Sequence, residues 1–240
     1  MGLSTKSFYE SGCGDSLIDS ALLPDEINNF LKEEESILFS FADSFCLLIE
    51  IGCMHGRYLE WAVTKGKFYT GIDIVRRFIE QGRRRIIELG LSLGYQLIEG
   101  AAEDIVNLIP VRRLRNKKCL LFFPFNSFGN MEDAGPIISA LKTSELPFFI
   151  SSYQTTAMAN ECRRDYYDRC GYKNLKRRID NKGVYFCSDD GLGTIAYHPS
   201  YIKRVCNEWG LPMRSMSFST IGMAYLSATL EVKKTKLKPE

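Results

Sequence analysis

"LLIEIGCMHG", residues 47–56, is the stretch on which the fold turns. Leu47, Leu48, Ile49 and Ile51 form an apolar run that carries one acid, Glu50, and then breaks into a turn with Gly52 and Gly56. A short apolar run bounded by glycines reads as a strand buried on both faces. The same texture repeats outward from it. FCLLIEI (45–51) is followed by the helix-like RYLEWAVTK (57–65), KFYTGIDI (67–74) by VRRFIEQGRRRIIELG (75–90), and YQLIEG (95–100) by AEDIVNLIPVRRL (102–114). CLLFFPF (119–125) precedes MEDAGPIISALKT (131–143), and PFFISSYQ (147–154) precedes TAMANECRRDYYDRCG (156–171). Strand and helix alternating in this way predict an α/β fold with a doubly wound parallel sheet, because parallel neighbours need helical crossovers.

Upstream, DEINNFLKEEESILF (25–39) sets Ile27, Phe30, Leu31, Ile37 and Leu38 on one stripe behind Pro24, which predicts an N-terminal helix. Downstream, VYFCSDDGLGTIAYH (184–198) reads as a hairpin or strand pair around Gly191 and Gly193, and RSMSFSTIGMAYLSATLEV (214–232) as two further strands. HPSYIKRVCNEWG (198–210) reads as the helix between them, and KKTKLKPE (233–240) as a charged tail.

The 240 residues, 45% hydrophobic and 25% charged, fit one globular domain with a small attached element. The net charge of +2 does not announce a nucleic-acid partner. None of the eight cysteines forms a CxxC pair, and no Cys/His cluster has metal spacing, so no metal is expected and reduced thiols of a cytoplasmic protein are. No basic-then-apolar leader opens the chain, Gly2 fits a lipidation motif only loosely, and no apolar run approaches about 18 residues.

In open α/β sheets ligands bind beyond the carboxyl ends of the strands. Gly52 and Gly56 allow a sharp turn and a close backbone approach there. Asp73 ends the second strand, 23 residues after Glu50, where an acid can accept from both hydroxyls of a ribose. A dinucleotide site calls for G-x-G-x-x-G, and Met54 breaks that pattern. An acid before the turn suits instead the positive end of S-adenosylmethionine, with Glu50 facing its methionine part. The plainer readings are a solvated strand-end acid for Glu50 and a helix cap for Asp73.

At this point the chain resembles the class I S-adenosylmethionine-dependent methyltransferases. IEIGCMHGRYLEWA is similar to their first motif, [DE]-x-G-x-G-x-G, and YTGIDIV to their second; LIEGAAEDI resembles the adenine segment. LLFFPFNSFGNM resembles the fourth-strand segment of the small-molecule enzymes, and YHPSYIKRVCNEWGL their late helix. The resemblance covers about residues 45–230. It departs at Met54, in place of the middle glycine, and at Ala101, in place of the adenine acid.

The resemblance implies a Rossmann-like, doubly wound, mostly parallel sheet with an antiparallel C-terminal strand pair. It implies a helical lid at 1–44, a cofactor-binding domain at 45–232 and a substrate-side insertion around 172–198. Cofactor contacts are expected from Glu50, Gly52, Cys53, Gly56, Tyr58, Asp73, Ile74, Ala102, Glu103 and Phe125. Asn126, Tyr153 and His198 are the catalytic candidates, and Tyr9, Asn126 and Tyr153 the substrate contacts. The expected reaction is methyl transfer to N or O of a small molecule by a monomer or homodimer, with aromatic faces able to hold a cationic acceptor. The alternatives are an RNA or protein methyltransferase, for which RRFIEQGRRR (76–85) and VRRLRNKK (111–118) would supply phosphate contacts, and an inactive cofactor-binding regulator.

Overall fold

The structure is a computed structural model that describes residues 4–114, 118–131 and 133–230. The charged tail at 233–240 lies outside the described residues. In chain order the elements are α1 (Thr5–Glu10), α2 (Asp25–Ser40), β1 (Leu47–Ile51), α3 (Leu59–Thr64), β2 (Phe68–Asp73), α4 (Arg76–Glu88) and β3 (Tyr95–Glu99). There follow α5 (Ile105–Leu108), α6 (Val111–Leu114), β4 (Cys119–Phe123), α7 (Ala134–Ser144), β5 (Phe148–Tyr153) and α8 (Ala157–Arg169). The last elements are β6 (Lys176–Ile179), β7 (Gly183–Cys187), β8 (Gly193–Tyr197), α9 (Pro199–Glu208), β9 (Met213–Phe218) and β10 (Gly222–Ser227).

Seven strands form one sheet in the order β3-β2-β1-β4-β5-β10-β9. The first five are parallel, and β10 runs antiparallel to both β5 and β9. This is the doubly wound sheet with an antiparallel C-terminal pair expected from the sequence. The central strand β1 is buried on both faces, as its apolar run requires. Leu48 packs into one core layer with residues of α2, α3, α4 and α8, and Ile49 and Ile51 into the other with α5, α7 and α9. Aromatic rings bind the first layer: Phe122 stacks on Phe149 at 4.8 Å, and Tyr58 meets Phe122 edge-on at 5.0 Å. Each such fully buried ring is worth about 1.5–3 kcal/mol.

Two elements differ from the sequence reading. The single helix expected over 102–114 is broken, because Pro110 lacks an N–H and holds Ile109 extended between α5 and α6. The hairpin at 184–198 gains a third strand, β6, whose Lys176, Arg177, Arg178 and Ile179 are all exposed. A charged edge strand has no buried face to mark it in the sequence. Elsewhere, Gly82 stands mid-helix in α4 because a Cβ there would fall 2.9 Å from the His55 carbonyl oxygen. The glycine lets α4 pack against the turn after β1.

The N-terminal segment has two parts. Residues 4–18 lie over the carboxyl ends of the strands. The helix α2 is set into the core, where the Phe30 ring lies 5.3 Å from Tyr153, 5.7 Å from Phe125 and 4.9 Å from Phe218.

Candidate active site

A cavity of about 790 Å³ opens at the carboxyl ends of β1, β2, β4 and β5. One end is walled by the residues after β2 and β3, with Asp73, Ile74, Ala102 and Glu103 among them. The other end is walled by Phe125, Tyr153, Tyr166, Tyr167 and Arg57. Tyr9 and its neighbours in the N-terminal segment cover it.

The turn after β1 is fixed by its backbone. Gly52 has φ +73°, and a Cβ added there would fall 2.7 Å from Ser127 Cβ, so only glycine fits. Met54 takes the left-handed conformation as well, with φ 53°, and its N–H donates to Asp73 Oδ2 at 2.8 Å. Asp73 Oδ1 accepts from Val75 N at 2.9 Å. The carboxylate thus joins the ends of β1 and β2 while still facing the cavity. Burial pushes its pKa up to about 6, against the pull of these N–H donors.

Glu50 is a correction. It shares the strand face of Leu48, opposite Ile51, and is fully buried beneath the turn rather than on the cavity wall. Its Oε2 accepts from Tyr58 N at 3.0 Å and from the Tyr69 hydroxyl, while Oε1 has no partner. Burial pushes its pKa up to about 8. Cys53, Gly56 and Tyr58 are also absent from the wall. Cys53 is buried with its thiol pKa raised by burial, and Gly56 closes the turn at φ +87°. Tyr58 points its hydroxyl to Glu34 at 2.7 Å. These four build the turn from below.

After β4, Phe125 and Asn126 adopt φ 43° and 57° in succession. Left-handed backbone costs a non-glycine residue roughly 1–2 kcal/mol. Three contacts hold it here. Phe125 N donates to Glu34 Oε2 at 2.7 Å, Asn126 N to the Ser151 carbonyl at 3.0 Å, and Ser127 Oγ to the Ile51 carbonyl at 3.0 Å. The Asn126 amide lines the cavity, yet it is committed within the protein. Nδ2 donates to Thr194 Oγ1 and the Ile195 carbonyl, both at 3.1 Å, and Oδ1 accepts from Ser152 Oγ at 2.6 Å.

His198 is a second correction. It stands at the N-cap of α9, off the cavity wall, with Nδ1 2.9 Å from Thr155 Oγ1. Tyr9 is held over the cavity by Asn130 Nδ2, 3.2 Å from its hydroxyl, and by Arg77 Nε, 2.8 Å from its carbonyl. Among the described residues no group of His, Cys, Asp and Glu could hold a metal.

No protein-family model matches this sequence, and no curated protein matches it. Solved structures do match its fold. An S-adenosylmethionine-dependent methyltransferase from Aquifex aeolicus aligns with a TM-score of 0.57 and 13% identity, over 91% of this chain and 97% of that one. Magnesium protoporphyrin IX methyltransferase from Synechocystis, solved with bound S-adenosylmethionine, aligns at 0.56 and 11% identity, over 93% and 95%. The 1,6-didemethyltoxoflavin N1-methyltransferase of Burkholderia thailandensis aligns at 0.52 and 11%, over 92% and 84%. The chain has the S-adenosylmethionine-dependent methyltransferase fold.

Three charged residues of this methyltransferase fold escaped the sequence reading. Glu34 sits on the apolar stripe of α2 at helical spacing from Phe30 and Ile37, which was the available signal. Arg57 follows the glycine turn and places its guanidinium 5.0 Å from the Phe125 ring centre. Arg163, in the charged stretch ECRRD, is fully buried between β5 and β7, 5.1 Å from the Tyr153 ring centre and 4.8 Å from that of Phe186. Nothing local to that stretch distinguishes Arg163 from its exposed neighbour Arg164.

Proposed function

We propose that the chain is an S-adenosylmethionine-dependent methyltransferase that acts on N or O of a compact small molecule. The observation that carries this reading is Asp73: a carboxylate at the tip of β2, on the cavity wall and tied through Met54 N to the glycine turn. Its Oδ1 and Oδ2 each accept one backbone bond and keep a further lone pair for a ribose hydroxyl. The volume lies in the upper part of the usual range for ligand sites, about 300–1,000 Å³, which leaves space for a second molecule.

In this reading Asp73 holds the ribose, and Ile74, Ala102 and Glu103 border the adenine. Gly52 and Met54 supply backbone for the amino-acid end. The bound cofactor supplies a methyl group already activated as a sulfonium. The protein's part is to align the acceptor and exclude water. Phe125 and Tyr153 form the aligning wall, and Asn126 acts through the loop it fixes. The N-terminal segment closes over both ligands as the lid. No general base is required for an acceptor that arrives deprotonated or as a neutral amine.

The small-molecule reading is favoured over RNA by the basic helix α4. Of its five arginines, Arg76, Arg77 and Arg85 pair with Glu80, Asp15 and Glu60, which lowers the charge the helix offers to phosphates. No helix among the described residues is long and apolar enough to cross a membrane. Eight free thiols, three of them buried, support a cytoplasmic setting. Calorimetric titration with S-adenosylmethionine and S-adenosylhomocysteine, beside methyl transfer to a panel of phenols and amines, tests the reading. Cofactor binding without turnover over the panel would favour a regulatory protein, and absence of binding would refute it.

A further inference from the structure

The charges around the cavity are segregated. Its wall carboxylates, Asp73, Glu99, Glu103 and Asp133, lie at the nucleoside end or beside α7. The opposite end presents the rings of Phe125, Tyr153, Tyr166 and Tyr167 with no carboxylate on the wall. The charge there is positive. Arg57 lies on the wall, half-buried, and forms no salt bridge among the described residues.

Behind the rings stands Arg163, fully buried, also without a carboxylate partner among the described residues. Its Nη1 donates to the Val184 carbonyl at 3.2 Å and its Nε to the Tyr167 hydroxyl at 3.4 Å, while Nη2 has no partner. A buried guanidinium compensated by ring faces, one carbonyl and one hydroxyl, with no carboxylate, is rare in a folded protein. The buried acids that feel the Arg57 charge, Glu34 and Glu50, are both pushed toward the neutral form by burial, against the pull of that charge.

On the methyltransferase reading above, on which this inference rests, the cofactor brings one more net positive charge to the same end. We propose that the acceptor is a flat aromatic molecule bearing an anionic group, such as a hydroxybenzoate. The rings form an aromatic wall against which it packs, and the field of Arg57 and Arg163 holds its charge. A low-dielectric wall strengthens that field relative to water. This replaces the cationic acceptor that the aromatic residues suggested in the sequence, because the two arginines beside the Phe125 and Tyr153 rings would repel a cation.

The test uses the full chain saturated with S-adenosylhomocysteine and titrated by calorimetry. The probes are 4-hydroxybenzoate, its uncharged partner 4-hydroxybenzamide, and the cationic 4-hydroxybenzylamine. The benzoate is expected to bind about tenfold or more tightly than the amide, the equivalent of about 1.4 kcal/mol, and the amine weakest. Arg57→Gln should remove most of that preference, and Arg163→Met should reduce it if the variant folds. An amide that binds as well as the benzoate, or no binding by either at millimolar concentration, overturns the proposal. A benzoate preference in protein that fails to bind S-adenosylhomocysteine would instead sink the cofactor reading and leave the anion site standing.

Discussion

Glu50→Gln should change how stability depends on pH. Glu50 is fully buried, and its pKa rises from 4.5 to about 8. Burial is the largest cause, opposed by the bonds from Tyr69 and Tyr58. A carboxyl whose folded pKa lies above its unfolded one binds more protons in the fold, so stability falls as pH rises between the two values. The gap of about 3.5 pH units, at about 1.4 kcal/mol each, sets an upper bound of roughly 5 kcal/mol. Glutamine keeps an oxygen for the Tyr58 and Tyr69 donors and never ionises. Wild type and variant should therefore be similar near pH 5, and the variant should gain steadily on wild type up to about pH 8. Urea melts of both proteins across this interval measure the difference, in which the titration of other groups largely cancels. Parallel curves for the two proteins would mean that Glu50 is charged in the fold and that its place beneath the turn has been misread.

Asp73→Asn should weaken binding of S-adenosylhomocysteine by about 1–3 kcal/mol, read by calorimetry in a variant whose melting temperature is retained. In wild type that affinity should strengthen as pH rises through about 6, because the ionised carboxylate is the better acceptor, and level off above; a flat profile would speak against Asp73 as the ribose contact. Gly52→Ala should destabilise by about 1–3 kcal/mol through its φ of +73°, with a similar further cost from the clash with Ser127, as thermal melts would show. Asn126→Ala should lower the melting temperature, since Ser152 and Thr194 lose their partner, whereas Tyr153→Phe should keep it and reduce methyl transfer.

What could be read from the sequence was whatever depends on neighbours along the chain. Gly52 and Asp73 stood out because a strand, a turn and the next strand tip are local geometry. The facing of Glu50 was hidden, since a strand apolar on both sides gives its alternation no polarity to orient it. Arg163 was hidden for a different reason, since its partner Val184 is 21 residues away, whereas Glu34 was marked by its place on the apolar stripe of α2 and only its partner Phe125, 91 residues away, was not. The strand β6 carries only exposed residues and leaves no periodic trace. The break at Pro110 followed from a rule that the apolar periodicity of 102–114 overrode in the reading.

The border drawn at residue 44 runs through a shared joint. Glu34 reaches across it to the Phe125 N–H and the Tyr58 hydroxyl, and Phe30 lies against Phe125 and Tyr153. A chain begun at residue 45 would keep every strand of the sheet and every sequence motif by which the fold is recognised. It would lack the acceptor that holds Phe125 in its left-handed turn and the ring that backs the cavity wall. Such a chain would also expose the core face that Ile27, Phe30 and Leu38 cover, and should melt well below the whole protein. In this protein the carboxylate that holds the loop after β4 comes from a helix that ends before the first strand begins.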